Sequence, residues 1–212
     1  MQRLRIAVLV SGGGSNLQAI IDATSTQSLE VEIACVISNR RDAFALERAK
    51  KFSIEDYYIG LGNYPDLYER EEALYKTLMD EKVDLIVLAG YLAILPEKLI
   101  KAFEGRIINI HPSLLPSHGG HGFYGIKVHE SVIRSGDILS GATTHFVELG
   151  IDTGQIIYQK TVKVDKEDTP EDLAKKVLKV EHQLMVATLK AIVSGNVKIG
   201  ADAMKNIPQI IE

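Results

Sequence analysis

The sequence predicts an α/β fold: a doubly wound, mostly parallel sheet with an antiparallel addition at one edge and a long C-terminal helix. Three observations carry this expectation. Short apolar, β-branched runs at residues 5–10, 31–38, 83–89 and 106–110 alternate with stretches of helical spacing, the pattern of βαβ units whose strands are covered on both faces. After residue 125 the order changes, because two strand-like runs, 142–148 and 155–164, follow each other without a helix between them. The stretch from Asp168 then reads as one long helix that Gly195 closes.

The first run, RIAVLV, is followed by Ser11-Gly12-Gly13-Gly14-Ser15-Asn16, and a helix begins at Leu17. Ser15 or Asn16 is the expected cap, since a short polar side chain can accept from the free N–H groups of the first turn. Residues 31–38 form the second strand, 43–52 the second helix, 55–59 a weak strand and 65–81 a charged helix. The strand at 83–89 closes on Gly90, Pro96 opens a short helix ending at Gly105, and residues 126–135 form another helix. The last helix has Asp168 or Thr169 as cap, Pro170 at its first position, and Glu171 and Asp172 in its first turn, a complete start signal. Its apolar stripe is Leu173, Val177, Val180, Leu184, Ala187 and Ala191. With no internal repeat, low-complexity tract or linker, residues 1–212 read as a single domain.

Composition narrows the function. Hydrophobic content of 46% supports a sizeable core, and the net charge of −4 argues against a nucleic-acid or acidic-membrane binder. The one cysteine, Cys35, excludes an intramolecular disulfide and a Cys-rich zinc site; within an apolar strand it reads as a small core residue. No apolar run approaches the roughly 18–20 residues that span a bilayer, and the N-terminus enters its first strand without a leader-like segment. A cytoplasmic protein is expected. His118, His121 and His129 lack an obvious neighbouring carboxylate to complete a ligand set, so they are read as loop or surface residues and no metal is expected.

The chemistry concentrates at Ile107-Ile108-Asn109-Ile110-His111-Pro112. In an extended segment residues i and i+2 share a face, so Asn109 and His111 project together, and Pro112 favours extended backbone at His111. Asp152 lies far along the chain in the loop 149–154, but loops at the carboxyl ends of strands in such sheets converge on one crevice. Beside His111 it would favour the protonated imidazole. An amide donor, a charged donor and a proton acceptor suit a tetrahedral oxyanion in acyl transfer to an amine. Ser113 has no glycine elbow around it and is a poor nucleophile candidate. The triple-glycine loop is neither a Walker loop, because no Gly-Lys-Ser/Thr follows, nor a dinucleotide fingerprint, because Leu17 holds the third glycine position. Free N–H groups at a helix start suit a phosphate monoester on a small metabolite.

The segments SGGGSNLQAI (11–20), LAGYL (88–92), INIHPSLLP (108–116), THFV (144–147) and DTGQII (152–157), in this order, resemble the folate-dependent phosphoribosylglycinamide formyltransferases of purine biosynthesis. The resemblance spans nearly the whole chain and implies a Rossmann-like formyltransferase domain. It places catalysis on Asn109, His111 and Asp152, and the phosphate cradle on Gly13, Gly14, Ser15 and Asn16, with a ribose contact at Glu181. The folate pocket falls on Leu92, Ala93, Ile94 and Leu95, with Asn109, Thr143, Glu148, Gly150 and Asp152. The cosubstrate it implies is 10-formyltetrahydrofolate, the acceptor is glycinamide ribonucleotide, and the protein would be a monomer or homodimer. Ala93 and Pro65 stand where the family commonly has arginines for the folate tail, and Leu178 where a polar phosphate contact is sometimes found. The loop HGGHGFYG (118–125) is longer than usual and reads as a mobile flap. A tRNA-directed formyltransferase would add a basic C-terminal domain and a formyltetrahydrofolate hydrolase an N-terminal regulatory one, neither of which is expected in 212 residues. A nucleotide-binding module without catalysis would have no reason to combine Asn109, His111 and Asp152.

Overall fold

The computed structural model describes residues 3–205, 209 and 210. The chain divides into two compact units, Met1–Ile108 and Asn109–Glu212. In the first, β1 (Leu4–Val10), β2 (Val31–Ser38), β3 (Glu55–Tyr58) and β4 (Leu85–Leu88) are parallel, in the order β3-β2-β1-β4. The apolar runs are buried as expected of central strands: Ile6 to Val10 and Leu85 to Val87 are fully inaccessible. Cys35, opposite Ala7 on β1, is likewise a core residue. Helices α1 (Ser15–Ser25), α2 (Phe44–Lys51), α3 (Leu67–Asp80) and α4 (Glu97–Ala102) fall where the spacing placed them. The start of α1 differs from the expectation. Its N-cap is Gly14, without a side-chain cap bond, and Ser15 and Asn16 already belong to the first turn. The cause is local sterics, since Gly14 has φ +69° and a Cβ there would lie 2.6 Å from the Ala45 Cβ on α2.

Strand β5 (Ile107–His111) contains the division between the units, and its last three residues open the second. There β6 (Leu139–Phe146) and β7 (Ile156–Lys163) form the expected antiparallel pair, from Leu139 opposite Lys163 to His145 opposite Ile156. Gly141 is required in β6, because a Cβ would meet the Lys160 carbonyl oxygen at 2.1 Å. A short strand that the pattern did not announce, β8 (Gln209–Ile210), runs parallel to β7. Helix α5 (Ile126–Ser135) and the 24-residue α6 (Pro170–Val193) complete the unit, and α6 packs against β6, β7 and α5. Thr169 caps α6 in a reciprocal box with Asp172. Its first half buries Leu173, Val177, Val180 and Leu184 as predicted. Beyond that the buried positions are Met185, Thr188, Leu189 and Ile192, while Ala187 and Ala191 are half-buried. Large side chains, not alanines, fill the interior there, and a helix this long turns its buried face as it advances. Among the described residues no helix is long and apolar enough to cross a membrane.

Candidate active site

The extended backbone of β5 places Asn109 and His111 on one face, with His111 4% exposed. Asp152 reaches the imidazole from the β6–β7 loop: its Oδ2 lies 3.4 Å from His111 Nδ1, and its side chain is 12% exposed. Asp152 itself has φ +57°, left-handed backbone that Asp tolerates better than most side chains and that concentrates where a side chain must be aimed. The structure adds a fourth group that sequence reasoning missed. His145, on β6, accepts a hydrogen bond at Nε2 from the Asn109 amide at 3.0 Å and donates from Nδ1 to the Phe146 carbonyl oxygen at 2.8 Å. Its Nε2 is 3.6 Å from Asp152 Oδ1, so the carboxylate sits between two imidazoles.

These bonds fix the roles of the ring nitrogens. A carbonyl oxygen can only accept, so His145 carries its proton on Nδ1, and Nε2 is the lone pair that orients Asn109. Burial pushes the His145 imidazole below its ordinary value, against the opposing pull of the Phe146 carbonyl and Asp152. His129, on α5, is also buried rather than at the surface, and desolvation pushes it down to about 4, with His111 adding repulsion. Both imidazoles are therefore neutral near pH 7. His111 donates from Nε2 to the His118 carbonyl oxygen at 2.9 Å. The Asn109 amide keeps its second N–H for a ligand.

The segment after β5 is tied by side chains. Thr143 Oγ1 donates to the Ser113 carbonyl oxygen at 2.6 Å and accepts from Leu115 N–H and Gln159 Nε2, each at 3.0 Å. Ser113 donates to the Ser117 carbonyl oxygen at 2.6 Å, which gives its hydroxyl a turn-forming role and not a nucleophile's. The loop read as a flap is anchored at its start: Gly120 N–H donates to Asp152 Oδ2 at 3.0 Å, and His118 Nε2 lies 2.7 Å from Asp137 Oδ2. His118 thus does have a carboxylate neighbour, supplied by a residue 19 positions on. Glu148 and Gly150 lie exposed in the loop that carries Asp152. Glu181 is half-buried on α6.

In the first unit, Gly13 and Gly14 form the turn from β1 into α1, and Ser15 and Asn16 open that helix. Arg48, not singled out from the sequence, holds this turn by donating from Nε to the Gly13 carbonyl oxygen at 2.8 Å and from a guanidinium nitrogen to Gln18 Oε1 at 2.7 Å. Ser11 Oγ donates to Asn39 Oδ1 at 2.6 Å and accepts from Leu92 N–H at 2.8 Å. That fixes the segment after β4, where Leu92 and Ile94 expose their side chains, Ala93 is half-buried and Leu95 points into the core. Among the described residues no group of three or more His, Cys, Asp or Glu side chains is placed to hold a metal ion.

The amide, two imidazoles and carboxylate gathered here, with the Ser113 hydroxyl committed to its turn, suit transfer of a group between two bound substrates. The chain belongs to the formyl transferase family, which it matches over residues 4–189. Its relatives include the phosphoribosylglycinamide formyltransferase of Haemophilus influenzae, 39% identical over 195 residues that cover 92% of this chain and 90% of the relative. The chloroplastic phosphoribosylglycinamide formyltransferase of Arabidopsis thaliana is 41% identical over 96% of this chain and 70% of its own length. Among solved structures, glycinamide ribonucleotide transformylase 1 from Symbiobacterium toebii superposes with a TM-score of 0.86 at 37% identity, covering 94% of this chain and 92% of that one.

Proposed function

We propose that Asn109, His111 and Asp152 catalyse transfer of a formyl group from 10-formyltetrahydrofolate to the amine of glycinamide ribonucleotide. Membership of the formyltransferases of purine biosynthesis supplies the reaction and makes the formyl-folate a cosubstrate. The observation that carries the residue assignment is the Asp152 carboxylate, 12% exposed and 3.4 Å from His111 Nδ1. The amine must lose a proton as it adds to the formyl carbon, and Asp152 is the acceptor. The formyl oxygen gains negative charge in the same step. The second N–H of Asn109 meets that charge, and His145 keeps the amide turned toward it. The proton that Asp152 accepts can pass to His111 Nδ1, 3.4 Å away, and return through the carboxylate to the departing folate nitrogen.

The remaining assignments rest on the family resemblance and on local structure. Gly13, Gly14, Ser15 and Asn16 take the ribonucleotide phosphate at the start of α1, where backbone N–H groups have no helical partner, and Glu181 takes the ribose. Leu92 to Leu95, Thr143, Glu148 and Gly150 take the folate, Thr143 through the backbone it braces. With its net charge of −4 the enzyme acts on small molecules and not on nucleic acid, as a monomer or homodimer in the cytoplasm.

The test is release of tetrahydrofolate from 10-formyltetrahydrofolate, with and without glycinamide ribonucleotide. Asp152→Asn should lower kcat by about 10²–10⁴-fold with an unchanged circular dichroism spectrum. Unaltered turnover in that variant removes Asp152 from the mechanism, and release without the ribonucleotide identifies hydrolysis instead of transfer.

A further inference from the structure

We propose that His118, clamped by Asp137 and Ser131, is a positioning residue that sets which nitrogen of His111 exchanges its proton. The inference rests on the reading of His111 and Asp152 as the catalytic pair, and adds the device that holds them in register.

The His118 carbonyl oxygen is 2.9 Å from His111 Nε2. Because that oxygen can only accept, Nε2 is held protonated and Nδ1 becomes the nitrogen that gains and loses a proton. Nδ1 is the nitrogen facing Asp152, at 3.4 Å. Two residues further on, Gly120 N–H donates to Asp152 Oδ2 at 3.0 Å. One turn of backbone therefore contacts both members of the pair, the base through its N–H and the imidazole through its carbonyl.

Backbone bonds from Ser117 N–H to the Leu114 carbonyl oxygen and from Phe123 N–H to the Gly120 carbonyl oxygen flank that turn without reaching His118. His118 has φ +54°, left-handed backbone at a non-glycine residue. It is followed by Gly119, Gly120, Gly122 and Gly125, whose conformational freedom favours many other loop shapes. The His118 side chain opposes this. Its Nε2–H donates to Asp137 Oδ2 at 2.7 Å, and its Nδ1 lies 2.9 Å from Ser131 Oγ. Ser131 is on α5, and Asp137 directly follows Gly136, the C-cap of that helix, so one anchor is on the helix and the other just past its end. With both ring nitrogens engaged, His118 contributes to the reaction through its carbonyl and not through its imidazole. The clamp borders a cavity of about 280 Å³ that Leu114, Val132 and Ile138 also line. The Asp137 side chain is 40% exposed, so truncation there removes no packed core.

The experiment uses the full chain labelled with ¹⁵N at histidine. Two-bond ¹H–¹⁵N spectra of the imidazoles, without substrates, should show His111 as the Nε2–H form. In His118→Phe and Asp137→Ala that signature should give way to a mixture of tautomers. In the same variants kcat should fall about tenfold, with the KM of both substrates moving by less than about twofold. Asp137→Asn keeps an acceptor for His118 and should recover most of the lost rate. A wild-type spectrum without the Nε2 proton, or an unchanged His111 signature and kcat in both disruptive variants, overturns the proposal. So does a loss confined to KM, which is a binding effect of the loop alone. Should Asp152→Asn instead turn over normally, the catalytic reading fails while the His111 spectra still report on the clamp.

Discussion

The Asp152 carboxylate faces an imidazole whose proton is already committed. His145 is buried, carries its proton on Nδ1 and presents only a lone pair to Asn109, so it adds no positive charge beside the carboxylate. His129 is held neutral by the same desolvation. This has a consequence for stability. The folded His129 titrates at about 4, against an ordinary value of 6.5. Between these values the unfolded chain binds a proton that the folded one refuses. Stability is therefore full above pH 6.5 and declines as pH falls toward 4, by about 3 kcal/mol at the limit. Urea unfolding from pH 7 to 4.5 should show this slope, and His129→Phe should flatten it; equal slopes in the two proteins would mean that His129 is not desolvated. The shared face of Asn109 and His111 was readable from their spacing along a strand, and Asp152 stood out by its glycine-flanked loop. His145 carried one signal: a polar ring within the buried, β-branched run Thr143-Thr144-His145-Phe146 needs partners on both nitrogens. Which partners it finds depends on strand pairing that sequence spacing does not encode.

Elements were legible where local chemistry decides them. Thr169, Pro170 and Asp172 start α6 as their order requires, and Thr169→Ala should cost about 1 kcal/mol in thermal or urea unfolding through loss of one cap bond. The glycine loop was misjudged at its cap for the complementary reason. Whether a serine or a glycine ends a turn depends on the space beside it, and here that space is filled by Ala45 on α2. Gly14→Ala combines a left-handed backbone angle with this contact and should destabilise the chain by about 1–3 kcal/mol. If the turn holds the ribonucleotide phosphate, the same variant raises the KM for glycinamide ribonucleotide far more than that for the folate. Equal effects on both would place the phosphate elsewhere. The loop 118–125 shows the opposite case. Its glycines promise freedom, yet one histidine side chain anchors its first residues, and the anchoring carboxylate lies beyond the next helix, where loop composition gives no hint of it.

At the scale of the whole chain, the single cysteine is a reporter. Cys35 lies on β2 with no accessible surface, and burial pushes its thiol up to about 12, with Glu81 adding to the rise. Both effects suppress the thiolate that alkylating reagents require. At pH 8 the native protein should therefore react with iodoacetamide only through opening of the sheet formed by β1, β2 and β3. Adding urea should raise the labelling rate in proportion to the unfolded population of the Met1–Ile108 unit. The imidazole signals of His129 and His145 follow the Asn109–Glu212 unit in the same solutions. Coincident curves mean that the two units lose structure in one cooperative event, and a separation measures how far the glycine turn can persist when Asn109, His111 and Asp152 have lost their geometry. Rapid labelling of the native protein, before any change in circular dichroism, would contradict the buried position of Cys35. The parallel core inferred from those alternating apolar runs would then need revision, because a β2 strand paired on both edges leaves no path to its central thiol.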